Sequence, residues 1–212
     1  MLLSARTARM HRTRRASGIA LITAVIMLLV ITLLALGGAR LALDSKRSSR
    51  NQRDFEIAYQ AAEAALRDAE VDIQSAVGPQ SRTATFSPDK PDGFLAGGCN
   101  TGTKAPSPYL GLCDTYGGTG APIWNTIDWT ASAGNQTVEY GTFTGRTFPT
   151  GSGLTPARKP RYLIELLPDN TNGGSASGAK RYMFRITAMG FGPNDTTRAM
   201  VQSIFRKSDA PN

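Results

Sequence analysis

Histidine is nearly absent from this chain of 212 residues, since His11 is the only one. Catalytic sites that pair a serine or cysteine nucleophile with a histidine base are therefore excluded beyond the first residues. Cysteine is scarce as well: Cys99 and Cys113 are the only two, and two thiols do not complete a tetrahedral zinc shell. No phosphate-binding Walker loop or acidic metal cluster occurs in the sequence. We expect no enzyme activity, and no metal, cofactor or small-molecule substrate.

Proline is missing from residues 1–78, and the only long hydrophobic run lies within that stretch. The run covers 19–39, which is 21 residues without a charge or a proline. A helix of this length rises about 30 Å, the thickness of the hydrocarbon core of a bilayer. A helix buried in a soluble domain would show a polar stripe, which this run lacks. We predict a membrane-spanning helix.

The first 18 residues contain five arginines and no acidic residue. Positive charge before a first span favours the cytoplasmic side, so we expect a single pass with the rest of the chain exported. The net charge is +8, but removal of the five arginines from 24 basic residues leaves 19 against 16 acidic ones. The basic balance is mainly a targeting signal, and nucleic acid is not an expected partner. The arginines at 181, 185, 198 and 206 are expected on a solvated sheet face.

Three hypotheses account for the junction between the basic head and the apolar run. A secretory signal would be cleaved behind the span, near the small residues 37–39. A signal anchor would stay uncleaved. A prepilin leader would be cleaved on the cytoplasmic side after Gly18, where the apolar run begins with Ile19. Glycine at such a border is common, so the junction alone does not decide between them.

The helical pattern continues beyond the apolar run as far as Gly78 and Pro79, which signal a stop. Apolar residues recur there at steps of four and three, the pattern of an amphipathic helix. They are Phe55, Tyr59, Ala62, Leu66, Ala69, Ile73 and Ala76. We predict one helix over 19–77, apolar at 19–39 and amphipathic at 40–77. Its many alanines favour close packing against a sheet, and a membrane-proximal coiled coil is the alternative.

The segment 79–160 is rich in Gly, Pro, Ser and Thr and contains both cysteines. In an exported protein such a pair indicates a disulfide. Closing a loop of this length would stabilise the fold by about 3 kcal/mol. Trp124 and Trp129 are either an exposed aromatic contact or anchors for a segment with little other core.

Three strand-like segments end the chain, at 161–167, 181–189 and 198–206, with turn-forming residues between them. A weaker candidate is 137–144. Consecutive strands joined in this way predict an antiparallel meander, one face of which covers the amphipathic part of the helix. The expected fold class is α+β, with the long N-terminal helix packed on a small antiparallel sheet. The globular periplasmic domain would cover 78–212.

Taken in this order, the whole chain resembles a type IV pilin, and specifically the PilX-type minor pilins. The resemblance rests on Gly18-Ile19 with its apolar run, AYQAAEAALRDAE at 58–70, PRYLIELL at 160–167, RITAMGFG at 185–192 and AMVQSIFR at 199–206. It implies the type IV pilin fold and a leader at 1–18 that a prepilin peptidase removes after Gly18. It also implies N-methylation of Ile19.

The fifth residue after the implied cleavage point is Thr23, where most pilins carry a glutamate. That glutamate lies within reach of the amino terminus of a neighbouring subunit, and a buried carboxylate is tolerable only when paired. Threonine cannot neutralise a neighbour's amine. Thr23 therefore favours a place at the filament tip, and a lipid-facing threonine is the alternative.

The resemblance implies a minor pilin that helps to initiate type IV pilus assembly, at or near the tip, and supports adhesion and twitching motility. The implied partners are the inner membrane, the major pilin, other minor pilins, the prepilin peptidase and a large tip adhesin. The protein would reside first in the inner membrane and then in the filament at the cell surface. Two alternatives stay open: a membrane-anchored exported binding module, and a K-type pseudopilin of a type II secretion system.

Overall fold

A computed structural model describes residues 18–101, 107–115, 120–132, 135–169 and 181–208. Residues 1–17 of the predicted leader and most of the loop before the second predicted strand lie outside the described residues. The chain divides into two compact units, an N-terminal unit up to Ser49 and a C-terminal unit from Arg50 onward.

One α-helix is present in the described residues: α1 (Ile19–Gln74) has 56 residues and contributes to both units. Residues 19–49, its part of the N-terminal unit, are all exposed in the structure. By length and composition this helix is able to cross a membrane. The prediction of one long helix, apolar first and amphipathic later, is confirmed.

The C-terminal end of α1 is held by side chains of the segment that follows. Gly78 has a φ of +116°, a left-handed conformation that glycine adopts without strain, as predicted for a stop signal. The Ser81 hydroxyl donates to the Ala76 carbonyl at 2.6 Å, and the Thr83 hydroxyl donates to the Asp72 carbonyl at 3.2 Å. These bonds satisfy carbonyl groups that have no partner within the helix.

The sheet belongs to the C-terminal unit and contains five strands in the part of the chain that the structure describes. They are β1 (Leu112–Asp114), β2 (Val138–Glu139), β3 (Arg161–Pro168), β4 (Tyr182–Phe191) and β5 (Arg198–Phe205). The order is β1-β3-β4-β5, and β2 also pairs with β3. The pairs β3–β4 and β4–β5 are antiparallel, which confirms the predicted meander. The short β1 runs parallel to β3 and escaped prediction, because three residues are too few to show a periodicity.

The main core lies between one face of the sheet and the last turns of α1. Leu66, Ala69 and Ile73 are buried there against Ile164 of β3 and Ile186 of β4. Other members of this cluster are Ala65, Phe86, Leu112, Val138, Phe143, Tyr162, Phe184 and Ala188. The predicted packing of helix on sheet is therefore present in the C-terminal unit.

The helix approaches β4 most closely at Gly190. A side chain at this position would overlap the Ala58 carbonyl oxygen and the Ala62 amide nitrogen. The facing helix residues Ala58, Ala61, Ala62 and Ala65 are all buried. Glycine on the strand and alanine on the helix are what permit two backbones to come this close.

The predicted packing face is wrong at Phe55 and Tyr59. These side chains are 52% and 41% exposed, while Ala58 and Ala61 are buried. Where α1 first contacts β4, its close approach to Gly190 leaves space only for small side chains on the helix. The large rings are therefore kept outside it, although their spacing continues the pattern of Leu66 and Ile73.

The second face of the sheet is partly covered by the segment that carries the cysteines. Cys113, Ile123 and Trp129 form a smaller cluster there with Leu163 of β3 and Phe191 of β4. The Trp129 indole N–H donates to the Trp124 carbonyl at 3.0 Å, and Trp129 is buried. Trp129 is thus an anchor of this segment, the second of the two interpretations offered above.

Burial of Leu66 makes it a sensitive test of the packing between helix and sheet. Leu66→Asp places an unpaired charge in the core and is expected to cost roughly 3–5 kcal/mol. Arg67→Asp is the matched control, because the Arg67 side chain is 74% exposed and its loss should cost at most about 1 kcal/mol. Urea unfolding of the detergent-solubilised chain, followed by tryptophan fluorescence, measures both. Equal losses would contradict the packing described here.

Candidate functional site

The predicted cleavage junction lies at the start of α1, in the N-terminal unit. Gly18 has a φ of +114°, and its carbonyl accepts the Ile22 amide at 3.2 Å. A residue with a side chain would be strained in this conformation, although the space around Gly18 is open. Ile19 follows as the first helical residue and is exposed. The junction is therefore accessible in the described residues.

Thr23 lies one turn into α1 and satisfies its hydroxyl group within the helix. The hydroxyl donates to the Ala20 carbonyl at 3.0 Å, and Thr32 makes the same bond to Leu29 at 2.8 Å. Threonine side chains commonly bond to their own helix in this way. Thr23 therefore presents a methyl group and no charge at the position predicted to be the fifth of the mature chain.

Cys99 and Cys113 form a disulfide in the structure, as predicted. Both residues are buried in the smaller cluster, with Ile123 and Trp129. Cys113 lies in β1, which pairs with β3 at Glu165. The disulfide therefore ties the irregular segment before β1 to the edge of the sheet.

Removal of this crosslink should loosen the segment without dissolving the main core. Cys99→Ser is expected to destabilise the C-terminal unit by roughly 2–5 kcal/mol. It should also expose one reactive thiol, that of Cys113, in the denatured and unreduced protein. Thiol labelling followed by mass spectrometry measures this. Two labelled cysteines in the unreduced natural chain would contradict the disulfide.

A buried ion pair that the sequence analysis did not anticipate lies beneath the end of α1. The Asp72 carboxylate accepts hydrogen bonds from Arg82 Nη2 at 2.7 Å and Arg82 Nε at 3.0 Å, and the Tyr162 hydroxyl donates to it at 2.9 Å. All three residues are buried. Burial raises the pKa of the Tyr162 hydroxyl well above its usual value, so this group stays protonated and donates.

Arg82 extends this ion pair to two further parts of the chain. Its Nη1 atom donates to the Pro108 carbonyl at 3.0 Å and the Leu110 carbonyl at 2.6 Å. Its guanidinium carbon lies 3.7 Å from the centre of the Phe143 ring, within the range of a cation–π contact. One arginine thus joins α1 to the approach to β1 and to the segment that follows β2.

Asp68 is a second buried carboxylate, one turn before Asp72. It accepts the Gly141 amide at 2.8 Å and the Thr144 hydroxyl at 2.6 Å. Burial raises the pKa of Asp68, and these two hydrogen bonds oppose that change. Asp68 thereby fixes the turn after β2 against the helix.

A sequence signal for these carboxylates exists but is weak. The buried alanines at 58, 61 and 65 are followed by Asp68 and Asp72 at the same alternating steps of three and four. The two aspartates therefore belong to the buried face of α1. Aspartate on a helix is normally solvated, so the periodicity alone does not predict its burial.

The arginines expected on a solvated face of the sheet are largely engaged in ion pairs. Arg185 donates to both carboxylate oxygens of Glu165, at 2.6 and 2.9 Å. Arg206 lies 2.9 Å from Asp169, and Arg181 lies 3.9 Å from Asp89. These arginines are neutralised locally rather than gathered into one basic surface.

A long helix, apolar at its start and packed at its end on a small, mostly antiparallel sheet, defines the class of type IV pilins. The model of the PilX N-terminal family matches residues 17–67, and that of the type IV pilus assembly protein PilX C-terminal family matches residues 78–207. The chain therefore belongs to the PilX family of type IV pilus assembly proteins, which are minor pilins. Among curated proteins, and among solved structures, nothing matches this chain.

Proposed function

We propose that this minor pilin occupies the tip of a type IV pilus, or lies close to it, and helps to initiate the filament. The observation that carries the proposal is the uncharged Thr23, whose hydroxyl is satisfied by the Ala20 carbonyl of its own helix. A subunit ahead of it in the filament would present a charged amino terminus that Thr23 does not neutralise. A subunit with no neighbour ahead of it needs no such carboxylate.

The proposed life cycle begins at the inner membrane. Residues 19–39 span the bilayer with the amino terminus in the cytoplasm and the C-terminal unit in the periplasm. A prepilin peptidase removes residues 1–18, and Ile19 becomes the methylated amino terminus. The helix then leaves the membrane for the filament, where the major pilin, other minor pilins and a tip adhesin are its neighbours. Adhesion and twitching motility depend on the filaments that it starts.

The position in the filament is tested by labelling the protein in sheared pili. We expect a few copies per filament, confined to one end, because a subunit that starts filaments is not needed to extend them. Loss of the gene should reduce the number of pili while the major pilin still accumulates in the inner membrane. Label spread evenly along the shaft would contradict the tip position. Membership of the family would be unaffected by that result.

A further inference from the structure

We propose that the free edge of β5 is a docking site for an extended segment of another polypeptide, with apolar side chains and a carboxylate at its C-terminal end. In the described residues β5 is the last strand of the sheet, and no strand pairs with its second edge. An edge of eight residues with exposed apolar side chains is a template for a further strand. The inference concerns the C-terminal unit alone and does not depend on the position of the subunit in a filament.

The register of the β4–β5 hairpin shows which backbone groups face this edge. The Gly192 amide donates to the Thr197 carbonyl at 2.8 Å. Gly192 and Thr197, which lie just beyond β4 and just before β5, therefore form a hydrogen-bonded pair of the antiparallel ladder. Such pairs alternate along an antiparallel ladder. The backbone groups of Ala199 and Val201 therefore point towards β4, while those of Met200, Gln202 and Ile204 point to the free edge.

Met200, Gln202 and Ile204 have their side chains on the second face of the sheet, the face that does not pack on α1. Met200 is 37% exposed and Ile204 is 61% exposed. Gln202, between them, donates to the Thr187 hydroxyl at 2.9 Å. Natural sheets protect their edges with lysine, proline or a bulge, and β5 contains neither residue and pairs with β4 without a bulge. Exposed apolar atoms and outward backbone groups thus coincide on one strand.

The charge at the start of β5 favours a carboxylate on the incoming segment. Arg198 is exposed, and its Nε atom donates to the main-chain oxygen of Asp195 at 3.2 Å. The Asp195 carboxylate itself is bound by Arg158. At the other end of β5, Arg206 already pairs with Asp169. A segment that runs antiparallel to β5 brings its C-terminal end beside Arg198, where a carboxylate is attracted.

A second copy of this chain is a poorer occupant of the edge. Full antiparallel pairing of two β5 strands would place Arg198 of each copy beside Arg206 of the other. Arg206 is already paired with Asp169, so a second copy brings no carboxylate to Arg198 beyond one that an arginine already binds. The arrangement of charge therefore favours a different polypeptide.

The proposal is tested with two fluorescent peptides as long as β5, made of alternating valine and threonine and ending in either glutamate or lysine. Both C-termini are amidated, so the glutamate side chain is the only carboxylate in either peptide. The full chain in detergent micelles is titrated against each peptide by fluorescence anisotropy. We expect saturable binding that is tighter for the glutamate peptide. Amide hydrogen exchange should slow at Met200, Gln202 and Ile204 when this peptide binds.

Two variants, each with a control variant, separate edge pairing from other modes of binding. Gln202→Pro removes an outward N–H group and should abolish binding, whereas Gln202→Thr keeps that group and should retain it. Arg198→Glu should lower the affinity for the glutamate peptide by about tenfold and raise the affinity for the lysine peptide. Arg67→Glu, a charge reversal on the exposed face of the helix, should change neither affinity.

Three results would overturn the proposal. One is the absence of saturable binding by either peptide. Another is binding that Arg198→Glu and Gln202→Pro leave unchanged. The third is slow exchange at Met200, Gln202 and Ile204 that appears without peptide and grows with protein concentration, because it would assign the edge to a second copy of the chain.

Discussion

Gly18→Phe is expected to leave the leader attached to the whole population of this protein and to keep it out of pili. The proposed prepilin peptidase must accommodate the residue before the cleaved bond, and a phenyl ring in place of a hydrogen atom removes that space. The natural chain should yield a mature form that begins at methylated Ile19. The Phe variant should yield only the uncleaved precursor. Mass spectrometry of the protein from isolated membranes distinguishes the two.

The control for this prediction is Gly18→Ala. Gly18 has a φ of +114°, so alanine and phenylalanine bear the same backbone strain and differ only in size. Partial cleavage of the alanine variant, with none for phenylalanine, would identify side-chain size as the cause. A natural amino terminus near Arg40 would indicate an ordinary secretory signal instead. A natural chain that keeps residues 1–18 would indicate a signal anchor.

Arg82→Met is expected to destabilise the C-terminal unit by roughly 3–5 kcal/mol, because it leaves the buried Asp72 carboxylate without its cation. Methionine retains much of the apolar volume of arginine, so the loss reflects the missing guanidinium group and its contacts rather than a cavity. The Pro108 and Leu110 carbonyls lose their donor as well. Urea unfolding of the detergent-solubilised chain, followed by tryptophan fluorescence, measures the loss.

The control is Arg158→Met, which breaks the ion pair with Asp195. Both side chains of that pair are partly exposed, so its loss should cost at most about 1 kcal/mol. The double variant Asp72→Leu with Arg82→Met should be more stable than Arg82→Met alone, since no buried charge is left unpaired. Equal losses for Arg82→Met and Arg158→Met would mean that the buried pair contributes no more than a surface pair.

The sequence analysis succeeded for elements that repeat a pattern over many residues. The apolar run and the amphipathic part of α1 carry a clear periodicity, and the strands β3, β4 and β5 are strand-like segments bounded by turn signals; all are present. It was incomplete for the segment between Gly78 and β3: it missed β1, which has three residues, and its weaker candidate at 137–144 is a strand only over the two residues of β2. β1 and β2 form because each pairs with the backbone of β3. This pairing involves residues distant in sequence, so the local sequence does not predict it.

The face of α1 shows the same division at the level of single residues. Leu66, Ala69 and Ile73 lie in the core that their spacing indicates, whereas Phe55 and Tyr59 continue that spacing and lie outside it. The difference comes from Gly190 on β4, which brings the strand too close to the helix for a large ring. The sequence of the helix alone does not predict how closely β4 approaches it.

The sequence by itself determined the class of this protein. A long uncharged run, a continuous helical period and strand-like segments are local in sequence, and each predicts its element from the way that apolar residues are removed from water. The tertiary structure alone decided which polar groups are buried. Asp72 is buried because Arg82 and Tyr162 meet it from separate parts of the chain. Asp68 is buried because Gly141 and Thr144 do the same. A carboxylate enters a core only where the fold supplies its partners, and those partners lie far from it in sequence.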